Sequence, residues 1–197
     1  IANSGTITAA ASGTDGGAFG YAIRISANLN GTIDNSGTIT ASGASDDSYG
    51  YAHGIRISYD VNGSIANSGT ITATASGTDG SAFGYGIRIG GDLNGTIDNS
   101  GTIAATASNK HSTACAYGVY IGDNLTGTID SGGTILATAE SVTDDVTAYG
   151  IYVGGGVSAD GLISVSGLIE AKAMTDSADA TAYGIYVSND MAGEIIV

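Results

Sequence analysis

The sequence predicts an all-β protein, a right-handed parallel β-solenoid of about six coils of 32 residues, and three observations carry that expectation. The segment Asn-Ser-Gly-Thr-Ile stands at 3–7, 35–39, 67–71 and 99–103 and decays to Ser-Gly-Gly-Thr-Ile at 131–135, a spacing of 32 residues. Inside each repeat, apolar residues alternate with polar ones at a period of two, the mark of a strand with one face buried. Helix signals are missing, and the repeats are punctuated by Gly, Asn and Ser turns among 33 Gly and no Pro. Short strands at a fixed interval stack coil on coil in parallel, each backbone bonding its neighbours about 4.8 Å away.

The elements follow in order along a repeat. From Leu29 to Ala41 every odd position is apolar, small or Asn, while Asn30, Thr32, Asp34, Ser36, Thr38 and Thr40 fill the even ones. Asn3, Asn35, Asn67 and Asn99 thus fall on the inward parity at a turn, where stacked amides bond up and down the axis. Outward, Thr6, Thr38, Thr70, Thr102 and Thr134 form a ladder flanked by Thr8, Thr40 and Thr72, with Ala104 and Leu136 interrupting the second column. Thr is a good β-former on any exposed strand. This array also resembles the flat ice-binding faces of antifreeze β-solenoids.

A small polar loop over 43–50 and its equivalents comes next. It carries the register acids Asp15, Asp46, Asp47, Asp79, Asp144 and Asp145. Stacked carboxylates on flexible loops are weak calcium candidates, although the Gly-Gly-x-Gly-x-Asp nonapeptide is absent and Lys110 and His111 replace the acids in the fourth loop.

Past the loop the same odd parity is expected to resume. It places Tyr21, His53, Tyr85, Tyr117, Tyr149 and Tyr183 in one inward column, and makes Cys115, in the place of Phe19, Tyr51 and Phe83, a buried and unreactive thiol. Arg24, Arg56 and Arg88 form an outward column continued by Tyr120, Tyr152 and Tyr186. Like charges so close repel unless acids sit beside them. The column is therefore either an ion-pair stripe with Asp60, Asp92 and Asp190, or a basic and aromatic strip that touches glycans. Leu29, Val61, Leu93, Leu125 and Val157 close the repeat, and a two-residue insertion near 158–160 accounts for the 34-residue interval from Val157 to Met191.

Composition excludes several function classes. With 19 acids against 5 bases and a net charge of −14, the chain lacks the Lys and Arg excess that nucleic acids and anionic membranes require. No apolar run approaches the roughly 20 residues of a membrane span, so no direct membrane insertion is expected. The single Cys115 makes no internal disulfide. No phosphate loop, zinc spacing or nucleophile triad appears, and acids that repeat suit a scaffold better than a unique cleft. A non-enzyme without cofactor is expected, calcium being the one candidate ion. Asn30, Asn62, Asn94 and Asn124 each begin Asn-x-Ser/Thr, but Asn-Gly is itself a turn signal.

The units Asn-Gly-Thr-Ile-Asp-Asn-Ser-Gly-Thr-Ile at 30–39 and Ala-Tyr-Gly-Ile-Tyr-Val at 148–153 resemble the repeats of autotransporter-type passenger and haemagglutinin-like surface proteins of Gram-negative bacteria. The resemblance extends over almost the whole chain, though the 32-residue coil, lengthened by the acidic loop, is longer than many such repeats. It implies an extracellular β-helical stalk or adhesin at the cell surface. Residues 1–197 read as one solenoid domain and as a segment of a longer array. Its end coils are expected to continue in the same chain or to stack end to end on another copy as a filament. The expected function is structural or adhesive, with ice or glycan binding as the alternative and host or environmental glycans as partners.

Overall fold

The 32-residue period becomes one circuit of the backbone. In the computed structural model, which describes residues 1–197, there is no helix, and every strand pairs in parallel with its equivalents in the adjoining coils, those of the two end coils on one side only. Three sheets result, making a β-solenoid of about six turns. A short sheet holds Ala2–Asn3, Thr32–Asn35, Ser64–Asn67, Thr96–Asn99, Thr128–Ser131, Leu162–Val165 and Glu194–Ile196. A threonine sheet holds Thr6–Gly13, Thr38–Ser45, Thr70–Gly77, Thr102–Asn109, Thr134–Ser141 and Leu168–Thr175. An aromatic sheet holds Ala18–Ile25, Gly50–Ile57, Ala82–Ile89, Ala114–Ile121, Val146–Val153 and Ala180–Val187. A row of single bridges, Leu29 to Val61, Leu93, Leu125, Val157 and Met191, closes the circuit. Coils are numbered from one to six along the chain, the second beginning at Leu29.

Register keeps like over like. Ile7, Ile39, Ile71, Ile103, Ile135 and Ile169 are successive partners, so a residue meets its own equivalent above and below. Ile39, Ile71, Ile103 and Ile135 are fully buried, while Ile7 and Ile169 on the outermost coils are only partly covered because no coil lies beyond them.

The core is wide at one side and narrow at the other. A cluster of 24 Ile, Leu and Val residues fills the space enclosed by the short sheet, the near ends of the two long sheets and the closing row. Toward the acidic loops the two long sheets converge, and there the filling is 13 residues, twelve Ala and Val146. The insertion sits where the sequence places it. Ser158 to Gly161 is a turn closed by Gly161 N–H donating to the Ser158 carbonyl at 2.9 Å, after which Leu162 resumes the ladder beside Thr128.

The Asn-Ser-Gly turn explains its own recurrence. Asn35 Nδ2 donates to the Gly37 carbonyl at 3.3 Å, and the Ser36 and Gly37 N–H groups both bond to the Asn3 carbonyl one coil away. A Cβ at Gly37 would run into the Gly5 carbonyl, and one at Gly69 into that of Gly37. Only glycine lets these turns stack at strand spacing.

Candidate functional site: an aromatic and arginine face

The tyrosine column lies outside the coil, which corrects the expected inward placement of Tyr21, His53, Tyr85, Tyr117, Tyr149 and Tyr183. The cause is a break in parity in the middle of each aromatic strand. In coil two, Gly50, Ala52 and Gly54 point inward, and so do Ile55 and Ile57, so two successive residues, Gly54 and Ile55, share the inner face. The ladder skips this position, pairing His53 with Tyr85 and then Ile55 with Ile87, as at a β-bulge. A Cβ at Gly54, Gly86 or Gly118 would strike the methyl of Ile71, Ile103 or Ile135 on the facing sheet. Small inward residues therefore hold the sheets together at this narrow side, and the large rings are turned to the outer surface.

Three outward columns run side by side up this face. The first is Phe19, Tyr51, Phe83, Cys115, Thr147 and Thr181; the second is the tyrosine column with His53; the third is Arg24, Arg56, Arg88, Tyr120, Tyr152 and Tyr186. Rings stack at coil spacing: Tyr21–His53 at 4.9 Å, His53–Tyr85 at 4.8 Å, Tyr85–Tyr117 at 4.9 Å and Tyr117–Tyr149 at 5.1 Å. The third column meets the second edge to face, Tyr117 and Tyr120 crossing at 88° with 5.2 Å between centroids. Offset and edge-to-face pairs of this kind contribute about 0.5–1.5 kcal/mol each beyond their burial. The outer face is thus partly self-covered, with His53 at 3% exposure.

The arginines occupy the same face in coils one to three. Arg24 and Arg56 lie over the Tyr21 ring at 5.1 and 5.4 Å, and Arg88 lies over Tyr85 and Tyr120 at 5.6 and 5.3 Å. Arg56 Nη1 also donates to the Tyr21 hydroxyl at 3.1 Å. Cation–π contact offsets part of their mutual repulsion. Of the two arrangements the sequence left open, the ion-pair stripe does not form, and Asp60 and Asp92 bond to the backbone of the next coil instead. Asp60 Oδ1 accepts the Asp92 N–H at 3.0 Å and Asp92 Oδ1 accepts the Asn124 N–H at 2.8 Å.

Burial sets the protonation of the face. Desolvation, with Arg88, Arg56 and Arg24 adding repulsion, pushes the His53 imidazole down to about 3. Burial pushes Tyr85 and Tyr117 well above the ordinary phenol range and the Cys115 thiol up to about 11. Cys115 itself is half-buried on the outer face, not enclosed in the core. At neutral pH the face therefore offers an uncharged His53 and the neutral phenols of Tyr85 and Tyr117 beside three arginines. It has neither a poised base nor a thiolate.

The other candidates fall elsewhere. Asn3 Nδ2 donates to Asn35 Oδ1 at 2.7 Å, Asn35 to Asn67 at 2.7 Å, Asn67 to Asn99 at 2.8 Å, and Asn99 to Ser131 Oγ at 3.2 Å, all within the buried wall. The second proton of Asn67 Nδ2 reaches the Thr102 carbonyl at 3.1 Å. Two outer ladders escaped the sequence reading. Asn94 donates to Asn62 and Asn62 to Asn30, at 2.9 and 2.8 Å, and Asn28, Asp60, Asp92 and Asn124 each accept a backbone N–H from the next coil. The 32-residue recurrence of Asn or Asp at these positions was the signal.

Thr6, Thr8, Thr38, Thr40, Thr70 and Thr72 stand on the outer face of the threonine sheet, joined there by a third column of Thr74, Thr106 and Thr138. The loop acids do not converge, and no group of three His, Cys, Asp or Glu side chains is placed to hold a metal ion. Asp46 accepts the Thr78 hydroxyl at 3.3 Å and Asp145 the Asp179 N–H at 3.1 Å.

No protein-family model, curated protein or solved structure matches this chain.

Proposed function

We propose that this chain is a non-enzymatic structural and adhesive β-solenoid displayed at a bacterial cell surface, with the aromatic and arginine face as its contact surface. The observation that carries the reading is the contrast between faces. The aliphatic, alanine and asparagine columns inside the coil repeat with little change, whereas the outer aromatic face gathers the stacked rings and all three arginines of an otherwise acidic chain. Repetition serves a rigid scaffold, and concentration of aromatic residues with Arg on one exposed face is the composition of a recognition surface.

The test has two parts. Antibodies against the chain should label intact source cells, and beads coated with the purified chain should adhere to polysaccharide-bearing surfaces. A chain found only inside cells, or steady turnover of a polysaccharide abolished by one Asp→Asn change, would overturn the proposal.

The threonine face supports a second reading, ice binding, because its columns are parallel and in register over the middle coils. Inhibition of ice recrystallisation, lost on Thr40→Tyr with Thr72→Tyr, is the outcome that reading requires.

A further inference from the structure

We infer that the cleft on the aromatic face between coils one and three is a binding site for a carboxylate-bearing saccharide; the inference rests on the adhesive reading and names its ligand class. The cleft encloses about 410 Å³, within the roughly 300–1,000 Å³ of small-ligand sites. Tyr49 and Tyr51 form one side, the nearly buried His53 lies between, and Arg56 and Arg88 form the other.

Charge selects an anion. The charged groups that act on His53 are Arg88, Arg56 and Arg24, all cationic. Two buried nitrogens at the cleft, Arg56 Nε and His53 Nδ1, have no hydrogen-bond partner within the chain. An unpartnered buried donor is costly, and a carboxylate seated on the guanidinium edge supplies the missing acceptor after a small shift of the side chain. The planar fork of Arg suits a carboxylate, which accepts two parallel N–H bonds.

Shape and surroundings select a sugar. Tyr49 is 53% exposed and its ring is tilted 40° from Tyr51, leaving an apolar surface free beside the cleft. Aromatic surface of this kind takes the C–H face of a pyranose, and tyrosine hydroxyls both donate to and accept from sugar hydroxyls. The columns continue beyond the cleft into Phe83 and Tyr117, so aromatic residues follow the line an elongated ligand would take along the stack. The net charge of −14 repels a densely charged polyanion such as nucleic acid, whereas a saccharide with sparse carboxylates meets the three arginines locally within a Debye length of about 8 Å.

Calorimetric titration and tyrosine fluorescence of the purified chain test this with tri-galacturonate against its methyl ester, and sialyllactose against lactose. At least one acidic saccharide should bind, with its uncharged counterpart at least about tenfold weaker and with affinity falling as salt rises. Arg88→Gln should weaken the acidic ligand by about tenfold or more, and Lys172→Gln on the threonine face should leave it unchanged. The methyl-ester and salt comparisons need no variant, so they stand even if Arg88→Gln alters folding. Equal binding of charged and uncharged sugars, no binding of either acid up to about 10 mM, or equally tight binding of a tri-glutamate peptide would overturn the inference. Adhesion of coated beads that persists with Arg88→Gln would remove this ligand class while leaving the adhesive reading standing.

Discussion

His53 should make the stability of this protein fall in mild acid, and His53→Tyr should abolish that dependence. The imidazole replaces a ring of the tyrosine column, lies between Tyr21 and Tyr85 at 4.9 and 4.8 Å, and faces Tyr51, Arg24, Arg56 and Arg88. Folding lowers its pKa from 6.5 to about 3, so between those values the unfolded chain binds the proton and the native one does not. Stability from the neutral imidazole is then complete above pH 6.5 and is lost as pH falls toward 3. At about 1.36 kcal/mol per pKa unit the loss between about pH 7.5 and pH 5 is about 2 kcal/mol, rising to about 4 kcal/mol by pH 3.

Tyrosine at this position matches the column above and below and does not titrate in the range. Urea unfolding of both proteins at about pH 7.5 and pH 5 should show the wild type losing about 2 kcal/mol more than the variant. A difference below about 0.5 kcal/mol, or an NMR titration of His53 with its midpoint near that of free histidine, would refute the argument.

Three further outcomes follow from the same geometry. Asn67→Ala removes the donor to Asn99 and Thr102 and the acceptor of Asn35, and should cost about 2–4 kcal/mol by urea unfolding, against less than about 1 kcal/mol for Asn62→Ala on the exposed ladder. Gly86→Ala places a methyl 2.6 Å from the Gly118 carbonyl and against the Ile103 side chain, and should cost about 2–3 kcal/mol through overpacking, measured by thermal and urea unfolding. The Cys115 thiol, raised to about 11 by burial, should react with iodoacetamide at pH 8 far more slowly in the native protein than in urea, which mass spectrometry resolves.

The sequence by itself determined the coil. A period of 32 residues with matching residues in each column admits one economical solution, parallel stacking in which register equals period, and the Asn ladder, the isoleucine row and the insertion at 158–161 all occupy the places the spacing assigns. The threonine strand was legible for the same reason, since its alternation runs unbroken from turn to loop. What only the tertiary structure decided is which side of the aromatic strand faces in. Along Tyr51, His53, Ile55 and Ile57 the odd positions look uniformly apolar, and nothing local marks the change of parity between Gly54 and Ile55. The decision is made across the core. Near the acidic loops the two long sheets approach so closely that Ala41, Ala73 and Ala105 on one meet Ala52, Ala82 and Ala116 on the other. A ring has no room there. The even-position Ala and Gly residues carried this information, but as a statement about the distance between two sheets. That distance exists only once both are folded, and it is what turns the tyrosines and arginines outward together.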